Sequence, residues 1–182
     1  MALLATCDKP LAQEMEITEI RRAVTEDQAS QLRPIFVDAF GEPPSDSFLE
    51  RLNEKGQLSV LLAHSGDLVI GFKIGYTRFK GVFFSWLGAV APGHRRRGVA
   101  RRLIQHQHRL CAERGYHELQ TEALASNQAM LILNLEEGFE VGGVHLGRDD
   151  ALTVQLRKRL DSSKSYKGVA VQPAVAVDLK SE

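Results

Sequence analysis

Residues 82–90, Val-Phe-Phe-Ser-Trp-Leu-Gly-Ala-Val, are apolar almost without interruption. A strand with one wet face alternates apolar and polar side chains, so a run of this kind reads as a central strand covered on both faces. It leads through Ala91-Pro92-Gly93-His94-Arg95-Arg96-Arg97 to Gly98, after which Val99, Leu103, Leu110 and Cys111 form one stripe of a helix. Arg101, Arg102, Gln105 and Arg109 lie away from that stripe, and Gly115 ends the helix. Residues 117–123 read as the next strand, so the centre of the chain is a parallel, right-handed strand-helix-strand unit.

Around this unit the elements follow from the same periodicities. Residues 17–24 read as a first strand, and Thr25 with Gln28 makes a capping box for a helix bearing Leu32, Ile35, Phe36, Ala39 and Phe40, with a bend expected at Pro34. Gly41-Glu42-Pro43-Pro44-Ser45 breaks that helix, and Phe48, Leu49 and Leu52 mark a short second one. Residues 58–64 and 68–79 form a hairpin turned at Ser65-Gly66-Asp67, with Phe72, Ile74 and Tyr76 on one face. A short helix over 127–137, closed by Gly138, and strands over 139–146 and 151–159 complete the order. The expected fold class is α/β (α+β), a mixed, mostly antiparallel seven-stranded sheet with helices on both faces.

Length and charge limit what such a chain does. With 182 residues, 43% of them hydrophobic, one domain is expected over residues 16–160, preceded by a loose lead-in at 1–15. Residues 161–182 are expected to be a tail or an extra edge strand, which Pro173 keeps out of a central position. Lys plus Arg and Asp plus Glu both number 23, so no overall field draws the protein to nucleic acid or to an anionic membrane. Cys7 and Cys111 make no disulfide framework, and the start of the chain has neither a basic n-region nor a long apolar stretch, so a cytoplasmic location is expected.

Chemistry concentrates where the buried strand gives way to the helix. A helix N-terminus exposes N–H groups without internal partners, and with the macrodipole these suit phosphate or pyrophosphate. Gly98 permits a close backbone approach. Arg95-x-x-Gly98-x-Ala100 is similar to the (Gln/Arg)-x-x-Gly-x-(Gly/Ala) motif of the GNAT superfamily of N-acetyltransferases, and Asn127, followed by Asn134 and Gly138-Phe139, resembles that family's second segment. The two motifs stand in the family's order, separated by one helix and one strand. The resemblance implies a GNAT-like fold and acetyl-coenzyme A as co-substrate. It implies that Leu87, Gly88, Ala89 and Val90 bond the pantetheine arm as an added strand would, with Arg95, Arg96, Arg97, Gly98, Val99 and Ala100 at the pyrophosphate and Asn127 and Asn134 beside the arm.

The acceptor is expected to be a primary amine, on a small molecule or a peptide, attacking directly in a ternary complex. Phe40, Glu42, Tyr76 and Trp86 are the candidate acceptor contacts, and Asp38, Glu42 and Asp46 are acids near the loop that builds the family's acceptor pocket. A protonated amine has a pKa of about 10, so a base is needed at neutral pH; Glu122, His145 and Glu42 are candidates. Many family members carry a Tyr that protonates the leaving thiolate where this chain has Asn134, and an amide is no general acid. Two alternatives stand beside this reading: a coenzyme-binding module with weak or lost catalysis, and a nucleic-acid binder using the basic residues 95–102. No metal is expected, since His106 and His108, two apart on a helix, point to different sides and no carboxylate or thiol completes a site. A homodimer through the last strands would cover an exposed edge.

Overall fold

The computed structural model describes residues 15–147 and 150–160. The sequence expectations for 1–14 and for the tail at 161–182 lie outside the described residues.

Seven strands form one sheet: β1 (Glu16–Ile20), β2 (Ser59–Ser65), β3 (Leu68–Phe79), β4 (Val82–Val90), β5 (Glu118–Leu124), β6 (Glu140–Leu146) and β7 (Leu152–Arg159). Four helices join them: α1 (Glu26–Phe40), α2 (Asp46–Asn53), α3 (Val99–Glu113) and α4 (Gln128–Glu136). The spatial order is β1-β2-β3-β4-β5-β7-β6, with β4 and β5 parallel and every other pair antiparallel.

The alternation of the strands divides the core in two. Val60 and Leu62 of β2 and Phe72 and Ile74 of β3 pack against Leu32, Ile35 and Phe36 of α1 and Leu49 and Leu52 of α2. Leu61 and Ala63 turn to the other face, where Val99 and Leu103 of α3 cover them. Farther along that face, Phe83, Leu119, Ala123 and Leu156 pack with Cys111 of α3 and with Met130 and Leu131 of α4. Helices therefore cover both faces, as the sequence pattern implies.

Two local readings, of β1 and of β4, are corrected. β1 stops at Ile20 and does not reach Val24, because the Val24 N–H turns to Asn53 Oδ1 at 2.9 Å and its side chain enters the core with α1 and α2. α1 runs through Pro34 as one helix, its capping box formed by Thr25 and Gln28. β4 is covered on both faces only in part: Phe83, Phe84 and Ser85 are buried, whereas residues 86–90 are half-buried.

Candidate acetyl-coenzyme A cleft

The sheet splits in the middle. β4 pairs with β5 only from Val82↔Glu118 to Ser85↔Thr121, and at that last pair the Thr121 hydroxyl donates to the Ser85 carbonyl at 2.7 Å. Beyond it, among the described residues, 86–90 of β4 have no strand on that side, while Glu122, Ala123 and Leu124 pair with β7 alone. Trp86 marks the divergence on the other side too, since Ile74↔Leu87 is followed by Gly75↔Ser85 and Trp86 is the extra, bulged residue. The Ala91 N–H donates to Ile70 of β3 at 2.9 Å, so by alternation Val90 and Gly88 direct their backbone groups into the split.

The α3 N-terminus abuts the same opening. A 3₁₀ turn over Pro92–His94 leads to Arg96 at φ 60 and Gly98 at φ 83, which is the N-cap and offers no side-chain cap. The first amides of α3 are left without a capping acceptor, as an anion site requires. Arg96 in the left-handed region is the kind of local strain that clusters at ligand clamps. Two other arginines are already engaged. Arg95 pairs with Asp38 of α1 and donates from Nε to the Val90 carbonyl at 3.0 Å, and Arg101 bridges to Glu136 and, at 3.2 Å, to Glu137 beside α4. Among the described residues Arg96, Arg97 and Arg102 form no ion pair.

These parts enclose a cleft of about 910 Å³. Its walls are Asp38 and Phe40 at the end of α1, Lys73, Gly88, Ala89 and Val90 on the sheet, and residues around Gly98 and Ala100. Asn127, Met130, Leu133 and Glu136 of the α4 segment form the far wall. Asn127 is the N-cap of α4, accepting from the Met130 N–H at 3.2 Å. Of the residues singled out in sequence, the cleft gathers Phe40, Gly88, Ala89, Val90, Arg95, Arg96, Gly98, Val99, Ala100 and Asn127.

Others stand apart. Leu87 packs with the core under α1 and α2, Arg97 is exposed, and Asn134 is buried without lining the cleft. Tyr76 and Trp86 meet edge-on at 5.8 Å on the α1/α2 face, with Phe48 5.5 Å from Trp86. Glu122 shares that face, accepting from Gln155 Nε2 at 3.3 Å and lying 3.9 Å from Arg78. Burial raises the Tyr76 hydroxyl above its ordinary value, with Arg78 lowering it and the Glu122 charge raising it. His145 is exposed on β6 opposite Thr153, and Glu42 is exposed in the loop after α1. His145, Glu42 and Glu122 all lie outside the cleft walls. Among the described residues no three His, Cys, Asp or Glu side chains converge, and no helix is long and apolar enough to cross a membrane.

Sequence reading missed Lys73. It lies between Phe72 and Ile74 in a strand where an isolated lysine reads as solvent-facing, yet it is 8% exposed and lines the cleft.

An uncapped helix start beside an unpaired strand edge offers amide donors to an extended anionic ligand, and the sequence matches the Acetyltransferase (GNAT) family over residues 24–134. The chain belongs to that family, and acetyl-coenzyme A is its co-substrate. Its structure is similar to the ribosomal-protein-S18-alanine N-acetyltransferase from Escherichia coli, at TM-score 0.67 and 18% identity over 87% of this chain and 99% of that one. It is also similar to Ard1 from Thermoplasma volcanium, at TM-score 0.71 and 17% identity over 81% and 98%. A third likeness is to an aminoglycoside 6'-N-acetyltransferase complexed with coenzyme A, at TM-score 0.66 and 15% identity over 80% and 97%. No curated protein matches the sequence.

Proposed function

We propose that this chain transfers the acetyl group of acetyl-coenzyme A to a primary amine, on a small molecule or on a peptide or protein, by direct attack in a ternary complex. The observation that carries the reading is the convergence of the split between β4 and β5 with the uncapped start of α3 in one cleft. The co-substrate supplies an activated thioester; the chain supplies position, charge and a route for protons.

The N–H and C=O groups of Gly88 and the N–H of Val90, whose carbonyl accepts from Arg95 Nε, are suited to the amides of an extended arm, because a strand edge without a neighbour still presents its hydrogen-bonding row. A Cβ on Gly88 would meet the Phe72 carbonyl oxygen of β3 at 3.3 Å, so the position is tight on the side of its paired strand. The amides after Gly98, with Arg96, suit a pyrophosphate. Asn127 flanks the same cleft from α4. An N–H in the bulged segment around Leu87 would supply the donor that polarises the thioester carbonyl, as acyl transfer needs. The ion pairs of Arg95 with Asp38 and of Arg101 with Glu136 and Glu137 favour a built phosphate site over an open nucleic-acid patch.

On the opposite face Tyr76, Trp86 and Phe48 form the wall that an acceptor would meet, with Glu122 as the base that takes its proton. Glu122 is favoured over exposed His145 and Glu42 because Gln155 and Arg78 fix it beside the aromatic group. Asn134, buried and outside the cleft, is assigned no proton-transfer role.

Acetyl-coenzyme A at about 100 times its Kd should stabilise the protein by about 2.7 kcal/mol and raise Tm by about 5–10 °C. Free-thiol release across a panel of primary amines should then identify acceptors, and Glu122→Gln should lower kcat by about 100-fold without changing the Tm shift. No stabilisation at millimolar acetyl-coenzyme A would overturn the reading; stabilisation without thiol release would reduce it to a binding module.

A further inference from the structure

Lys73 is the buried titratable side chain of the cleft; the others lining it are exposed or half-exposed. It faces Gly88 across the β3–β4 pair, where neighbouring side chains stand on one face of the sheet. Gly88 has none, so the lysine stem passes over it: a Cβ on Gly88 would lie 3.7 Å from Lys73 Cγ and 3.8 Å from Nζ. The ammonium thereby reaches toward the part of β4 that has lost β5.

No acid among the described residues accompanies it there. Among the described residues Lys73 has no ion pair, and the strand opposite it on β2 contributes Leu61. From α3 it is approached by Cys111, whose thiol burial pushes up to about 12, and by His108. Burial pushes His108 down to about 3, and Lys158 and Lys73 oppose its charging as well. Both neighbours are uncharged near neutrality and offer the ammonium no compensation. A lone buried cation is costly unless something else requires it, and this one stands beside the proposed path of the thioester.

We propose that Lys73 protonates the sulfur of the departing coenzyme A, the task many family members give to a Tyr where this chain has Asn134. The inference rests on the acetyl-transfer reading above. As the acceptor nitrogen bonds to the acyl carbon, the carbon–sulfur bond breaks and its electron pair stays on sulfur. The Nζ proton moves to that sulfur, leaving a free thiol and a neutral Lys73 amine. The proton lost by the acceptor nitrogen goes to Glu122 and then to water, while water at the cleft mouth returns one to Lys73, so a turnover from neutral amine to amide and thiol consumes no net proton. Burial lowers Lys73 to about 8, close to the value of about 8.5 for an ordinary thiol, and such matching favours transfer in both protonation and recharging.

The test uses Lys73→Met and Lys73→Arg, with an amine that the unaltered protein acetylates. Lys73→Met should lower kcat about 100-fold and abolish an alkaline fall in kcat centred near pH 8, with Kd for coenzyme A within about threefold. A readout independent of turnover is the ultraviolet titration of bound coenzyme A: its thiolate should form about one pH unit lower on the unaltered protein than on Lys73→Met. Lys73→Arg keeps the charge but does not release a proton, so it should retain the lowered thiol titration and still lose kcat. Unchanged kcat in either variant, or identical thiol titrations in the unaltered protein and Lys73→Met, would overturn the role of Lys73 while acetyl transfer itself stood. A protein that binds coenzyme A but acetylates no amine would remove both proposals together.

Discussion

Replacing Gly98 by Ala tests whether the turn before α3 is built for a ligand or merely tolerated. Gly98 sits at φ 83 and ψ 0 and supplies no side-chain cap, so the substitution removes no protein contact of the capping kind. A Cβ in the left-handed region costs about 1–2 kcal/mol. That free energy has two places to appear. If the turn keeps its shape, the folded state loses it and Tm falls by about 2–8 °C with coenzyme A affinity unchanged. If the turn relaxes toward negative φ, stability is kept, the amides that follow Gly98 rotate away from the cleft, and Kd rises about 5- to 30-fold. Linkage requires the two losses to share one total, which calorimetric titration and thermal melts on the same preparation measure together. Gly98→Asn, which accepts the left-handed region more readily, should show a smaller total. A Gly98→Ala protein with both Tm and Kd unaltered would refute the reasoning, because the conformation would then carry no strain and serve no binding.

Two further predictions concern the frame of the cleft. His108 binds a proton at about 6.5 when unfolded and only near 3 when folded, so folding stability is full above about pH 6.5 and lost as pH falls below it, by about 1.4 kcal/mol per unit. The stability of the unaltered protein relative to His108→Leu should fall by about 2 kcal/mol between pH 6.5 and pH 4.5 in urea titrations; parallel losses would contradict it. Glu19 of β1 accepts from Arg114 Nη2 at 2.5 and 2.6 Å and from Ser59 Oγ at 2.5 Å. Burial raises its carboxyl, but these bonds and Arg21 outweigh burial and hold it below 4.5, so the clamp is present above that value and lost as pH falls. Glu19→Gln should cost about 2 kcal/mol at neutral pH, seen as a Tm drop of about 4–8 °C, and an unchanged Tm would show that the clamp does not hold the end of α3.

Most elements were legible because their signals are local. The period of Val99, Leu103 and Cys111 fixed α3, Gly115 at φ 78 closed it, and the Thr25–Gln28 box opened α1. Glu122 was readable as the polar half of an alternating strand. The failures arise where a distant element decides. Val24 looks like the end of a strand until Asn53, twenty-nine residues on, takes its N–H. Lys73 looks solvated until α3 lies over its face of the sheet and leaves it no charged partner. Residues 86–90 look like a fully covered strand, yet β5 leaves them after Thr121, and nothing in their own composition records where a neighbour departs.

That departure also separates two proton paths on the proposed reading. Lys73 stands on the α3 face beside Gly88, whereas Glu122, Tyr76 and Trp86 stand on the α1/α2 face. A strand carries successive side chains to opposite faces, so donor and base on adjacent parts of one sheet are divided by its thickness and have no direct exchange. The open edge of β4 is the passage between them, where a thioester would be reached by an amine from one side and release its sulfur toward the other. Independent paths leave independent marks on rate. Lys73→Met should remove the alkaline fall of the kcat profile, whereas Glu122→Gln should lower kcat and leave that fall in place. With the two groups acting in one transition state but touching no common partner, the double variant should lose about the product of the single losses, roughly 10⁴-fold. A double variant no slower than either single one would mean that both substitutions break the same step in the same way, and that the sheet does not partition the protons.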